Sequence, residues 1–135
     1  METEIVKNNL KAKWNIEPFN FWIPLHGIAT DNILYFETEN FETYVGYKKL
    51  SEIVNEINDG NVFCFNEARE EKVYDKLEIK EYESPDIFYT NKNADWVIYQ
   101  THEGTITFAG IELIDKIKSI WNNWKENANP WENQR

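Results

Sequence analysis

The sequence has 135 residues, a length usual for one domain, and its 41% hydrophobic and 16% aromatic content excludes a wholly disordered chain. With 14 basic against 24 acidic side chains, its formal net charge of −10 argues against binding to nucleic acid or to anionic membrane surfaces. No apolar run approaches the roughly 20 residues of a membrane span, and the start Met1-Glu2-Thr3-Glu4 has no signal-peptide pattern, so we expect a cytoplasmic protein.

The first half of the chain is predicted to alternate between helices and short strands. Apolar spacing over residues 1–15 favours a helix, and the aromatic run 19–23 between two prolines favours a strand. The apolar run Ile33 to Phe36 is typical of a buried strand, and steps of three and four predict a helix within Tyr44 to Ile57. Val62 to Phe65 is the next strand, and this passage fits a right-handed parallel crossover.

The second half is predicted to contain mainly antiparallel strands and a final helix. Alternation from Val73 to Tyr82 predicts a strand with one exposed face. Asp95 to Thr101 and Thr105 to Ala109, joined by His102-Glu103-Gly104, form the clearest hairpin of the chain. A helix follows from about Ile111 to Glu126, with one apolar side consisting of Ile111, Ile114, Ile117, Ile120, Trp121 and Trp124.

These elements predict a single α+β domain over residues 1–126, followed by a polar C-terminal tail at 127–135. We expect a mainly antiparallel sheet that is covered on one face by the helices near Tyr47 to Ile57 and Ile111 to Glu126. The one cysteine, Cys64, is expected to be buried and unreactive on its strand. Most tryptophans are expected in the core, whereas Trp14 and Trp131, near the chain ends, would be contact residues if they are exposed.

Residues suited to catalysis are few. The chain has two histidines, His26 and His102, and a zinc site would need both of them to meet a carboxylate such as Glu103 or Asp31. No two of these residues have the local spacing of a metal motif, and the glycines do not form a phosphate loop, so we expect no metal and no cofactor. A pocket that contains His26, His102 and Glu103 is the alternative site, as in a small enzyme or a ligand-binding protein.

The densest mixture of acidic and aromatic residues lies between Asp31 and Tyr44, and a second acidic pair follows in the predicted loop 66–72. A solvated surface loop is the simplest interpretation. The functional interpretation is a recognition surface, where carboxylates steer a basic partner and aromatic side chains anchor it. On this hypothesis the partner-binding residues are Asp31, Glu37, Glu39, Glu42, Tyr44, Glu70 and Glu71.

The passage Asp95-Trp96-Val97-Ile98-Tyr99-Gln100-Thr101-His102-Glu103-Gly104-Thr105-Ile106-Thr107-Phe108-Ala109-Gly110, which leads into the final helix, resembles the C-terminal portion of small bacterial proteins. In size, acidity and aromatic content the chain is similar to immunity proteins of bacterial toxin systems. This resemblance implies a non-enzymatic inhibitor that occludes a basic toxin and has no catalytic residues. The competing hypotheses are a small enzyme or ligand-binding protein and a structural subunit of a larger bacterial assembly.

Overall fold

The computed structural model describes residues 2–17, 33–79, 86–101 and 104–127, which form a six-stranded antiparallel sheet and its covering helices. The strand order is β1-β6-β5-β4-β2-β3, and each neighbouring pair is antiparallel. The predicted α+β class is therefore confirmed. In chain order the elements are α1 (Glu2–Trp14), β1 (Ile33–Glu37), α2 (Thr38–Tyr44), α3 (Tyr47–Ile57), β2 (Val62–Asn66), β3 (Glu71–Tyr74), β4 (Ile87–Asn91), β5 (Val97–Gln100), β6 (Thr105–Ala109), α4 (Ile111–Ile120) and α5 (Trp124–Asn127).

The inner strands of the sheet are buried on both faces. Every residue of β2, β4 and β5 is buried, as their nearly uninterrupted apolar sequences require. Successive side chains of a strand point to opposite faces, so Val97 and Tyr99 belong to one apolar cluster and Ile98 belongs to the other. Cys64 is buried on β2, as predicted.

Helices cover both of these faces. α3 and α4 pack side by side on one face, which confirms the two covering helices predicted from periodicity, and α2 packs there with them. On the other face α1 buries Val6 and Leu10 against Phe63 and Phe65 of β2. The predicted N-terminal helix is therefore present and adds a second covered face to the expected architecture.

The tryptophans mainly fill these two cores. Trp96 and Trp121 are buried, as predicted, and Trp124 is partly buried beneath the ammonium group of Lys118. Trp14 is also buried, and its indole N–H donates to the carbonyl oxygen of Ala94 at 2.8 Å, so it is a core residue rather than an exposed contact. The predicted strand at 19–23, Trp22, Trp131 and residues 128–135 of the tail lie outside the described residues.

The predicted parallel crossover connects strands that are not neighbours. Each step in the order β1-β6-β5-β4-β2 reverses the strand direction, so β1 and β2 point the same way. α2 and α3 carry the chain between them, past β6, β5 and β4. This long crossover brings β1 to one edge of the sheet and leaves β3 at the other.

The last predicted helix is shorter than expected and its apolar side is different. α4 ends at Ile120, and α5 begins at Trp124. Ile111 and Ile120 are 57% and 39% exposed, whereas Leu113 is buried. A step of three residues falls about 60° short of a full helical turn, so the row of isoleucines drifts around α4 and both of its ends leave the core.

The predicted strand from Val73 to Tyr82 is wrong for residues 75–79, because β3 ends at Tyr74, and residues 80–82 lie outside the described residues. The side-chain amide of Asn55 donates to the carbonyl oxygen of Leu77 and accepts from its N–H, each at 2.8 Å. The N–H of Ile79 donates to Ser51 Oγ at 3.0 Å. This segment therefore leaves the sheet and lies against α3, where alternating Leu77 and Ile79 are buried just as they would be in a strand.

Gly110, between β6 and α4, has a φ of +107° and closely approaches the backbone of the β4–β5 connection. A Cβ at this position would collide with the carbonyl oxygen of Asp95 and lie 2.9 Å from Trp96 Cα. We expect Gly110→Ala to lower the free energy of unfolding by about 2–4 kcal/mol, measured by urea denaturation.

Gly60→Ala is the matched control. Its φ of +97° is also unfavourable for alanine, but a Cβ would meet nothing within 4 Å, so the loss should be only about 1–2 kcal/mol. Equal losses in the two variants would contradict the steric explanation.

Candidate binding surface

Four of the predicted partner-binding residues lie together on the last residue of β1 and along α2. Glu37, Glu39, Glu42 and Tyr44 are all exposed, and we call them the α2 surface. The segment is a short helix rather than the simple surface loop that its charge suggested. α2 forms here because Thr38 and Phe41 bury one side of it, and Glu39 in its first turn interacts favourably with the helix dipole.

The aromatic residues of this stretch are divided between core and surface. Phe36 and Phe41 are fully buried, and their ring centroids lie 4.4 and 6.4 Å from that of Trp121. Tyr44 is 52% exposed, and its ring stacks on Trp121 at 5.7 Å. Tyr44 is thus an exposed aromatic ring that packs on a buried one, whereas Phe36 and Phe41 belong to the core.

The side chains of the α2 surface surround the short helix. Residues two positions apart differ by about 200° around a helix, so Glu42 and Tyr44 point to opposite sides. Glu42 Oε2 accepts a hydrogen bond from the Tyr47 hydroxyl at 2.6 Å on the α3 side, whereas Tyr44 stacks on the α4 side. Glu39 lies about 140° from Tyr44 in the direction of solvent. Because α2 is only about 10 Å long, all of these groups lie within reach of one protein partner.

The remaining acidic pair lies at the opposite edge of the sheet. Glu70 precedes β3 and Glu71 begins it, and the five strand spacings between β1 and β3 amount to roughly 24 Å. Glu70 Oε1 accepts from Asn66 Nδ2 at 2.7 Å, and Glu71 Oε2 accepts from Lys7 Nζ at 2.8 Å. Hydrogen bonds to Glu4 and then Glu71 raise the pKa of Lys7 above its ordinary value. The residues predicted as one site therefore form two surfaces.

The other predicted site residues lie outside the described part of the chain. These are Asp31 of the acidic set and His26, His102 and Glu103 of the alternative pocket. Within residues 2–17, 33–79, 86–101 and 104–127, no three histidine, cysteine or acidic side chains form a group that could hold a metal ion. None of the helices in those ranges has the length and apolar character needed to cross a membrane.

A groove beside α3 was missed by the sequence analysis. It has a volume of about 450 Å³ and runs between α3 and residues 76–79. Lys48, Ser51, Glu52 and Asn55 recur at the spacing of one helix face, but such a polar face is typical of any exposed helix. The signal that identifies the groove is the pairing of Asn55 with the Leu77 backbone, which only the structure shows.

Several buried polar atoms have no hydrogen-bond partner within the described ranges: Thr38 Oγ1, Gln100 Oε1 and Nε2, and Trp121 Nε1. They lie on the face that α2, α3 and α4 cover, near the same end of the sheet, because Gln100 pairs with Ile106, Ile106 pairs with Phe36, and the Phe36 ring contacts Trp121. An unpaired buried group of this kind costs about 1–3 kcal/mol. A bound water molecule or ligand that forms hydrogen bonds with these atoms would remove this cost.

Comparisons of the chain with models of protein families, with curated proteins and with solved structures found no match. A function must therefore be inferred from the geometry of the α2 surface, of β3 with Glu70 and Glu71, and of the buried polar atoms. Together they define a small α+β protein with acidic surfaces at both edges of its sheet.

Trp121 and Tyr44 should differ sharply in their contribution to stability. Trp121 is 2% exposed, so Trp121→Ala is expected to lower the free energy of unfolding by about 3–5 kcal/mol. Tyr44→Ala should lower it by less than about 1 kcal/mol, because half of the ring is already in water. Urea denaturation followed by circular dichroism measures both variants. An unchanged midpoint for Trp121→Ala would contradict its position in the core.

Proposed function

We propose that this chain is a non-enzymatic binding module of the inhibitor or immunity type, which captures and occludes a basic protein partner such as a toxin. The observation that carries the proposal is the α2 surface, where exposed carboxylates lie on other sides of the same short helix as Tyr44 and a buried tryptophan holds the Tyr44 ring. Tyrosine is enriched among the residues that contribute most of the binding energy in protein interfaces. The proposal includes a cytoplasmic location.

Capture would proceed in two physical steps. The net charge of −10 attracts a basic protein over a distance set by the salt concentration, about 8–10 Å at physiological ionic strength. Tyr44 then packs against the partner, and its stacking on Trp121 restricts the ring before binding, which reduces the entropy lost in the complex. Glu42 is similarly held by the hydroxyl of Tyr47.

The triple substitution Glu37→Gln, Glu39→Gln and Glu42→Gln tests this proposal. We expect the wild-type chain to recover a basic protein from native lysate at low ionic strength, and the triple variant to recover about tenfold less. Stopped-flow mixing with the recovered protein should show a slower association rate at low salt. The stability of the variant should hardly change, because the relief of repulsion between like charges offsets the loss of the Glu39 charge near the helix N-terminus and a weaker hydrogen bond from Tyr47 to residue 42.

The control is the triple substitution Asp59→Asn, Glu112→Gln and Asp115→Asn, which removes the same charge from exposed positions outside the α2 surface. Its recovery of the basic protein should be close to that of the wild type. Equal recovery by all three chains, or an equal loss in both variants, would contradict a specific role of the α2 surface.

A ligand-binding protein or small enzyme is the second candidate, and one observation favours it. Gln100 is fully buried, yet neither atom of its amide has a hydrogen-bond partner within the described residues. It lies two positions before His102 of the alternative pocket and near the end of the sheet that holds Trp121 Nε1 and Thr38 Oγ1. Buried polar groups kept at a cost in stability are typical of ligand sites.

Gln100→Met separates the two candidates. Methionine has a similar length and removes both unpaired atoms, so we expect the free energy of unfolding to rise by about 1–2 kcal/mol. Recovery of the basic protein should be unchanged. A small molecule that copurifies with the wild type and is lost from the variant would favour the ligand-binding candidate instead.

Thr90→Val is the control, because the buried hydroxyl of Thr90 has a hydrogen-bond partner. Thr90 is also fully buried, but its hydroxyl donates to the carbonyl oxygen of Trp96 at 2.7 Å. Its replacement should therefore lower the free energy of unfolding by about 1 kcal/mol. A loss of stability in both variants would contradict the unpaired state of the Gln100 amide.

A further inference from the structure

β3 is a free edge of the sheet beside the second acidic surface. It is the last strand in the order and pairs with β2 alone among the described strands. All four of its residues are exposed, including the apolar Val73 and Tyr74 at 47% and 43%. A free strand edge with exposed apolar side chains can accept a strand from another chain.

The hairpin between β2 and β3 determines which backbone groups face this edge. The N–H of Asn66 donates to the carbonyl oxygen of Glu70 at 3.2 Å, so these two residues form a hydrogen-bonded pair. Such pairs alternate with non-hydrogen-bonded pairs along an antiparallel ladder. Lys72 and Tyr74 therefore bond to β2, and Glu71 and Val73 direct their N–H and C=O groups to the free edge.

A second copy of this chain is a poor occupant of the edge. In a two-fold antiparallel pair, outward residues face outward residues, so Val73 faces either Val73 or Glu71 of the copy. The first register places Glu71 opposite Asp75 of the copy, and the second places Lys72 opposite Lys72. Like charges directly opposite each other destabilise a strand pair.

We propose that β3 accepts an extended segment of the basic partner as a seventh, antiparallel strand. The chemistry of the edge specifies a basic side chain opposite Glu71, where it joins Lys7 beside the Glu71 carboxylate, an acidic one opposite Lys72 and an apolar one opposite Val73. The outward N–H and C=O groups of Glu71 and Val73 supply the main-chain hydrogen bonds. The inference rests on the proposed function, because it specifies how the same partner uses the second acidic surface.

The probe is the synthetic peptide Lys-Thr-Val-Glu-Lys-Arg, which places these side chains opposite residues 75 to 70 in the antiparallel register. Amide hydrogen exchange of the full chain is measured by NMR at low ionic strength with and without the peptide. We expect exchange at Glu71 and Val73 to slow by about tenfold, because their outward N–H groups become bonded. The amides of Lys72 and Tyr74 already bond to β2 and should change less.

Two variants test the contacts separately. Val73→Pro removes an outward N–H without removing a bond to β2, and proline is tolerated on strand edges, so peptide affinity should fall about tenfold while the melting temperature confirms folding. Glu71→Lys should weaken the same peptide about tenfold through like-charge repulsion. The peptide Lys-Thr-Val-Glu-Glu-Arg should then restore binding to Glu71→Lys, a rescue that a merely structural role of Glu71 would not produce.

Three results would overturn the inference. The first is absence of peptide binding at millimolar concentration, and the second is binding that neither variant weakens. The third is a concentration-dependent dimer that Val73→Pro abolishes in ultracentrifugation, which would identify a second copy as the occupant.

The recovered basic protein separates this inference from the proposed function. If the α2 triple variant loses that protein while Val73→Pro binds it as well as the wild type does, the edge inference fails and the proposed function stands. If both variants bind it as the wild type does, both proposals fail.

Discussion

The rest of the structure depends on covering both faces of one sheet. The inner strands β2, β4 and β5 carry no exposed residue, so apolar side chains leave each of them in both directions. α1 packs against Phe63 and Phe65 on one face. α2, α3 and α4 pack against the strand residues that point to the other face. The exposed positions of the sheet lie on its edge strands β1 and β3, and the acidic residues Glu37 and Glu71 are among them.

This constraint also determines what the acidic residues can do. Phe36 and Phe41 are buried beneath Trp121, and their burial holds α2 against the sheet with its carboxylates outward. The acidic residues beside β3 lie roughly 24 Å away, across the sheet. The two acidic surfaces lie at opposite edges, so a partner that contacts both must extend over a helix-covered face of the sheet between them.

The sequence predicted the elements that local patterns define. The apolar spacing of α3, the antiparallel pairing of β5 with β6 and the buried position of Cys64 all follow from residues close together in the chain. The departure of residues 75–79 from the sheet could not be predicted in this way. Leu77 and Ile79 alternate with polar residues in the same pattern whether the backbone pairs with a strand or with Asn55.

The candidate site was predictable only in part, for the same reason. Exposure of Glu37, Glu39 and Glu42 follows from their charge. The burial of Phe36 and Phe41 between those acids depends on Trp121, which is some eighty residues later in the chain. The separation of the two acidic surfaces depends on strand order, which arises from pairing between segments far apart in sequence.

The most direct test of the central claim is hydrogen-exchange mass spectrometry of the full chain, alone and saturated with the basic protein recovered by affinity capture. A partner that binds the acidic edges should slow exchange in residues 37–44 and 71–74 and leave α4 and α1 unchanged. Slower exchange confined to α4 or α1, with α2 and β3 unaffected, would contradict the account.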